Sequence, residues 1–544
     1  MKEFEISGTI VDVVNKCFYK GVVRVCDAKI VDVVKRDDVE DQLILPGLID
    51  SHIHIESSML VPSEFAKAAV LHGTVATVSD PHEIANVLGI EGINFMIDNS
   101  KTVPFKFYFG APSCVPATGF ETSGFELNSE KIKNLLKSED IYYLAEMMNF
   151  PGVIYGDKEV VDKINLSKKF NKPVDGHAPG LCGDDLKKYA DAGISTDHEC
   201  STIEEALEKI NCGMQIQIRE GSAAKNFEVL CQLIDSHPDK VMLCSDDLHP
   251  DNLIEGHINK LIKKAQKKGF EFFNILRAAT YNPVKHYGLN VGLLQKNDPA
   301  DFIVVDGLDN FNVLKTYING DLVAENKKAL FKTDLCKPIN NFTVENISKS
   351  DLIVSADNEK QMNVINAFDG ELFTKRISVK PKTENNCVVT DIENDILKIV
   401  VVNRYAKNAK PIVGFIKGFG LKKGAIASSI AHDSHNIICV GTNDTDILNA
   451  IMKIIDNKGG IVAINSDDVS DLSLPIAGLM SNKPAREVAK QYLYINNKAI
   501  EFGSRFSAPF MTLAFMALLV IPEIKIGDKG LFDVNKFQFT SLFK

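Results

Sequence analysis

Leu45-Pro-Gly-Leu-Ile-Asp-Ser-His-Ile-His-Ile-Glu-Ser-Ser-Met59 decides the fold of this chain. Its apolar run, Leu45 to Ile49, reads as a buried strand that delivers two imidazoles, His52 and His54. Residues i and i+2 of an extended strand point to one face, so both rings can reach one metal ion. Imidazole suits zinc, iron, manganese, nickel and copper. A His-x-His pair alone is weak, because most such pairs are incidental. This one gains weight from its strand, from the Pro-Gly ahead of it, and from more His and acidic residues at later strand ends.

Upstream, Ile6-Ser-Gly-Thr-Ile-Val-Asp-Val-Val, Val22-Val-Arg-Val-Cys and Lys29-Ile-Val-Asp-Val-Val alternate in strand fashion between turns. They form a β layer too thin to stand alone. Downstream, short apolar runs alternate with helical periods, the pattern of βα units. Eight strands are expected: Leu45–Ile49, Thr74–Val78, Phe105–Phe109, Ile141–Leu144, Pro173–Asp175, Ile194–Thr196, Met214–Ile218 and Val241–Leu243. Eight units over roughly 240 residues match a TIM-like (β/α)8 barrel, whose active site lies at the C-terminal strand ends. An open doubly wound sheet is the alternative, but no Gly-rich phosphate loop follows its first strand.

Helices are expected at Asp251–Lys268 and Glu271–Ala279, and two strands around a turn between Gly292 and Asp306. Residues 1–46 and 287–335 then make one small β-domain from both flanks of a barrel at 47–286. A polar linker at 336–350 leads to a C-terminal α/β domain at 350–544. Its expected strands are Leu397–Val402, Ile437–Val440 and Gly460–Ile464, and its helices Asp446–Asp456 and Ala485–Tyr494.

The 544 residues are 45% apolar with a net charge of −11, enough for a sizeable core. No basic stripe is present, which argues against a nucleic-acid partner. The longest apolar run, Phe506 to Ile521, contains Pro509 and falls short of the roughly 20 residues that span a bilayer, so a buried helix is expected and no membrane partner. The N-terminus lacks a targeting pattern. Eleven scattered cysteines without a Cys-x-x-Cys pair fit a reduced, cytoplasmic location.

The expected strand ends carry His52, His54, Asp80, His82, Glu146, His177, His198, Glu220 and Asp246. Taken singly, His177 and His198 read as helix-capping or core histidines. Chance places a few polar residues at strand ends, but not His or a carboxylate after the first, fourth, fifth, sixth and eighth strands together. The set His52, His54, Glu146, His177, His198 and Asp246 reads as the ligands of a two-metal site. Glu146 ends an apolar strand, where an acid is costly unless paired or bound to a cation. It reads as a bridging ligand, with a substrate-side acid as the alternative. Asp246 is preferred to Asp247 because it directly follows the Ser that ends the strand; Asp247 reads as a loop cap. Two divalent cations would bring the pKa of bound water toward neutrality and so supply a hydroxide nucleophile. Asp246 would move its proton to a leaving group. Hydrolysis of a carbon–nitrogen bond is the expected output.

His52-Ile-His-Ile-Glu-Ser-Ser-Met59, Ser79-Asp-Pro-His-Glu-Ile-Ala-Asn-Val87, Asp175-Gly-His-Ala-Pro-Gly180 and Ser245-Asp-Asp247 together resemble the adenine deaminase family of the amidohydrolase superfamily. Gly418-Phe-Gly420 and Ala431-His-Asp-Ser-His-Asn-Ile437 extend the resemblance through the C-terminal region. It implies hydrolysis of adenine to hypoxanthine and ammonia in purine salvage, at a binuclear Mn2+ or Fe2+ centre with Zn2+ a further candidate. The expected partners are a purine base and a second copy in a homo-oligomer, a dimer first. Many binuclear members of the superfamily use a carbamylated lysine after the fourth strand; here Glu146 stands in that neighbourhood. The deaminase architecture built on His-x-Glu and Pro-Cys-x-x-Cys is excluded: His54-Ile-Glu56 matches its first half, but the chain has no Cys-x-x-Cys.

Glu56, Ser57, Asp80, His82 and Glu83 remain for substrate. Attack at C6 pushes charge onto ring nitrogen, which a donor must meet. Asp80, His82 or Glu83 could supply that proton; their bland reading is to cap the helix that begins near Glu83. For His432 and His435, which flank Asp433, a surface metal site, a loop over the barrel mouth and local turn chemistry compete, and the loop is preferred. The competing functions are another hydrolase of a cyclic amide or aminopyrimidine, and a catalytically dead barrel used for binding.

Overall fold

The computed structural model describes residues 3–222, 224–357 and 360–544. The chain divides into two units. The first holds Met1–Pro81, Asn94–Ser113 and Asn128–Leu335; the second holds His82–Ile93, Cys114–Leu127 and Cys336–Lys544.

In the first unit the apolar run of the quoted stretch is divided between two sheets. Leu43–Pro46 pairs with Glu3–Asp12 and with Phe302–Val305, while the first barrel strand is Leu48–Ile53. The expected strand Leu45–Ile49 therefore straddles the break, and His52 lies inside the barrel strand rather than beyond it. Gly47 makes the break: a Cβ there would lie 2.4 Å from the Val75 side chain, so only glycine allows this approach.

The other barrel strands are Thr74–Ser79, Lys106–Ala111, Ile141–Met147, Val174–Gly176, Thr196–Asp197, Gln215–Arg219 and Val241–Cys244, all in parallel ladders. A Val174–Ile194 bridge joins the five-stranded and three-stranded ladders, and an Ile53–Asp246 bridge closes the ring. The barrel strands are buried almost throughout, as parallel strands wrapped by helices must be. Both flanks of the barrel segment share one eight-stranded sheet, running from Lys328–Ala329 through Leu43–Pro46 to Lys29–Lys35.

After the eighth strand the expected single helix is two, Pro250–Glu255 and Ile258–Lys267. Gly256 breaks it and puts His257 at the start of the second piece. That piece buries Ile258, Leu261, Ile262 and Ala265, the i, i+3, i+4, i+7 face of an amphipathic helix.

The second unit is built on an eight-stranded sheet that is antiparallel except where Met362–Asn366 meets Ile412–Lys417. The helix Asp444–Asp456 packs on it through Ile447, Ala450, Ile451 and Ile454. The helix Ala485–Glu501 runs seven residues beyond its expected end. The expected linker has no helix or strand before Lys349, yet Val344 and Ile347 are buried in this core, so it packs as part of the unit. The apolar run near the C-terminus gives one short buried helix, Pro509–Phe515, not a long one. Among the described residues no helix is long and apolar enough to cross a membrane.

Candidate metal centre

The closed ring brings the ends of the first, fourth, fifth, sixth and eighth strands to one place. Glu146 stands at the middle of the side chains there. Its Oε2 accepts from His177 Nδ1 at 2.7 Å and lies 3.2 Å from His198 Nε2; its Oε1 lies 3.3 Å from His54 Nε2. Asp246 Oδ1 lies 3.3 Å from His54 Nε2 and 3.7 Å from His52 Nε2. Ligand atoms of His52, His54 and Asp246 fall within 4.8 Å of one another, and so do those of His52, Glu146 and His198. Ligand atoms of His54, Asp80 and Glu146 are equally close.

Two features fit a cation here. His52 is wholly buried, and neither ring nitrogen has a hydrogen-bond partner among the described residues; its ring stacks on His198 at 4.1 Å. Burying such a ring without a bond is costly unless something binds it. His54 faces the Asp80 carbonyl with Nδ1 at 3.1 Å, the orienting bond that turns Nε2 toward Glu146 and Asp246. Imidazoles and carboxylates are donor types that divalent metal ions take.

Electrostatics agree. Burial alone would raise the Glu146 carboxyl, but His177, His198 and His54 hold it well below its ordinary range. Burial is likewise outweighed at Asp246, where Arg219 keeps the carboxylate charged. At His54, burial loses to hydrogen bonds that the ring donates to Asp246 and Glu146, which push it well up. At His177 burial loses to Glu199 and then Glu146, and the ring is pushed up to about 9. His52 goes down, through burial and then through His198. The carboxylates of the site attract positive charge: His54, His177 and His198 are all pushed up, and His52 alone of the four rings is pushed down.

Supports hold the ligands from behind. The Tyr189 hydroxyl donates to the Met147 carbonyl at 2.8 Å and accepts from the His177 N–H at 3.0 Å, tying the fourth strand to the fifth. Asp197 accepts from the N–H groups of Ala178 and Glu199 and faces the buried Lys209 at 3.2 Å. Asp246 takes a left-handed backbone, φ 57°, which an aspartate tolerates better than most residues.

Two charged residues here went unexpected. Arg219 ends the seventh strand and links Asp246 Oδ2 to Glu199, with Nη2 donating to Glu199 Oε2 at 2.9 Å. Glu199 directly follows His198, and its carboxylate groups with His177 and His198. Both obey the strand-end rule that found the others. Glu220, the residue expected there after the seventh strand, instead pairs with Lys264 at 3.0 Å.

Of the residues kept for substrate, Glu56 and Ser57 lie buried in a short turn, Ile55–Ser58, directly after His54. The Ser57 hydroxyl donates to Asp247, whose charge also acts on His54. His82 and Glu83 open the helix His82–Leu88 in the second unit. There Glu83 accepts from His432 Nδ1 at 2.7 Å and from His435 Nε2, and His82 Nε2 lies 3.4 Å from it. The Ala431 N–H donates to His435 Nδ1 at 3.3 Å, which fixes the tautomer that donates to Glu83. His432 and His435 are buried, so the surface-metal reading of that loop is wrong. Burial would raise Glu83, but His432 and then His435 hold it well below its ordinary range.

A closed parallel barrel with this histidine and carboxylate cluster at its C-terminal strand ends has the architecture of the amidohydrolase class. The model of the amidohydrolase family matches residues 43–323, and that of the adenine deaminase C-terminal domain matches 371–538. The chain is 55% identical to an adenine deaminase of Methanosarcina acetivorans, over 98% of this chain and 99% of the relative. It is 53% identical to one of Sulfurovum sp., over 98% and 99%, and 50% identical to one of Borreliella burgdorferi, over 99% and 100%. The chain belongs to the adenine deaminase family.

Proposed function

We propose that this chain hydrolyses adenine to hypoxanthine and ammonia at the cluster around Glu146. The full-length likeness to adenine deaminases carries the substrate. The cluster supports the chemistry, with His52, His54 and Asp246 on one side, His177 and His198 on the other, and Glu146 between. These six residues would hold two divalent ions, Mn2+ or Fe2+ ahead of Zn2+. When bound, such ions polarise water so that it attacks at neutral pH.

The chain's own residues do the rest. Adenine and water give hypoxanthine and ammonia, so one proton must travel from water to the departing amino nitrogen. Asp246 suits this task. Arg219 anchors its Oδ2, while Oδ1 faces His54 and His52, so one oxygen is fixed and the other accepts and returns the proton. Arg219 also favours the charged carboxylate, the form able to accept. Glu56 and Asp80, buried beside His54, and His82 with Glu83 are the groups assigned to the purine and to protonation of its ring. Glu83, held by two imidazole N–H groups, has its carboxylate fixed in place.

The test is ammonia release by purified protein loaded with Mn2+ or Fe2+, offered adenine, adenosine, cytosine and a cyclic imide. Turnover of adenine with adenosine poor is expected. Preference for cytosine or the imide would overturn the substrate, and no turnover of any would favour a binding role.

A further inference from the structure

Beneath the ligand cluster lies a polar group that the chemistry above does not use. Asp50 is wholly buried in the first barrel strand. Its Oδ1 accepts the backbone N–H of Ser245 at 3.1 Å and of His52 at 3.3 Å. Its Oδ2 accepts the Ser245 hydroxyl and Nε2–H of His257 at 2.7 Å. The other nitrogen of His257, Nδ1, lies 2.8 Å from Thr74 Oγ1 on the second strand. One carboxylate thus gathers four donors from both sides of the barrel's closing seam.

That seam is thin. Among the described residues its backbone pairing is the Ile53–Asp246 bridge, through Asp246 N–H to His52 O at 2.9 Å and His54 N–H to Asp246 O at 3.3 Å, and the Ser51 hydroxyl adds a bond to the Leu243 carbonyl at 2.9 Å. The bridge is what presents His52, His54 and Asp246 to one another. A buried ionic group is a poor source of stability, since apolar packing of the same volume does as well or better. It does fix position: Asp50 holds the backbone of His52 and of Ser245, the residue before Asp246, at a set separation. Sub-ångström placement is what metal ligation and proton transfer require.

We propose that Asp50 and His257 are a positioning pair that sets the register of His52 against Asp246. They thereby govern metal retention and, given the hydrolase reading above, turnover. The His257 side chain is buried, but with Ser245, Leu248 and Lys260 the residue borders a cavity of about 520 Å³, so the space its ring leaves in His257→Ala adjoins room for a free imidazole.

The experiment uses Mn2+-loaded full chain with His257→Ala, His257→Gln and Asp50→Asn. The first readout is the rate of metal loss to a chelator. His257→Ala and Asp50→Asn should lose metal at least about tenfold faster than wild type, within the 10–100-fold range of outer-shell changes. His257→Gln, which keeps a donor toward Asp50, should recover part of the loss. The second readout is kcat on adenine, expected to fall about tenfold or more with KM changed far less. Millimolar imidazole should restore retention and turnover in His257→Ala but not in Asp50→Asn, each measured against wild type in the same imidazole. Folded variants that keep metal within about twofold of wild type, or a His257→Ala protein deaf to imidazole, would overturn the proposal. Should His257→Ala not fold, Thr74→Val removes one bond to the ring and must still speed metal loss. If wild type itself spares adenine, the hydrolase reading fails while the metal-loss readout still decides this one.

Discussion

Asp246→Asn isolates the proton-transfer step. In the native site one oxygen is tied to the Arg219 guanidinium, and the other lies 3.3 Å from His54 Nε2. Asparagine has the same shape but cannot carry the proton. To keep an oxygen toward the histidines it must turn its amide N–H toward Arg219, donor against donor. Stripping a buried charge of its partner costs about 3–5 kcal/mol. Glu199 still holds the guanidinium through two nitrogens, so the loss of stability should be smaller than that. The kinetic loss is separate. General acid–base catalysis contributes about 10²–10⁴ in rate. At about 1.4 kcal/mol per tenfold, that adds about 3–5 kcal/mol to the barrier. Ammonia release from adenine should therefore show kcat down about a hundredfold or more. Metal content by elemental analysis should fall much less, because the amide oxygen can still ligate. Asp247→Asn is the control: its oxygen can still accept from Ser57, so activity should stay within about threefold of wild type, far inside the acid–base range. If the two variants exchange behaviour, the wrong aspartate carries the proton. If neither slows ammonia release, the shuttle is wrong.

The double variant His52→Ala, His54→Ala should lose at least one of two metal ions by elemental analysis; full metal and activity would remove the site. Glu146→Ala, which deletes the group shared by three imidazoles, should lower metal content further than His177→Ala, the more exposed ligand. Arg219→Met should remove the anchor of Asp246 Oδ2 and cut kcat by about tenfold or more, a part of the roughly 10²–10⁴ that a positioned acid–base group contributes; unchanged turnover would show that Asp246 needs no anchor. In the second unit, burial brings the Lys525 amine down to about 7, and it donates to the carbonyls of Leu372 and Phe515. Between pH 7 and about 10.4 the unfolded chain binds the proton that the folded chain has released, so this group adds stability as pH rises, by up to about 1.4 kcal/mol per unit. Thermal unfolding of Lys525→Met across that window should lack this rise; parallel curves would refute it.

Sequence alone determined the barrel. Strand alternation and helical period are local properties, so eight strands could be placed within a few residues, and the His and acidic residues at their ends could be read as one set once the strands were taken to close. It did not determine where a strand breaks: Leu45 to Ile49 is uniformly apolar, and only the approach of Val75 to Gly47 assigns its halves to different sheets. Nor did it determine partners across the ring. Asp50 meets His257, 207 residues on, because the ring closes and Gly256 interrupts a helix there. Arg219 meets Asp246 and Glu199 because three consecutive strands lie side by side, and Glu83 meets His432 and His435, some 350 residues on, because a short excursion from the barrel segment folds into the second unit. Hydrophobic period is written residue by residue along the chain. The pairing of buried charges depends on which distant elements packing brings together, and only the tertiary structure decides that.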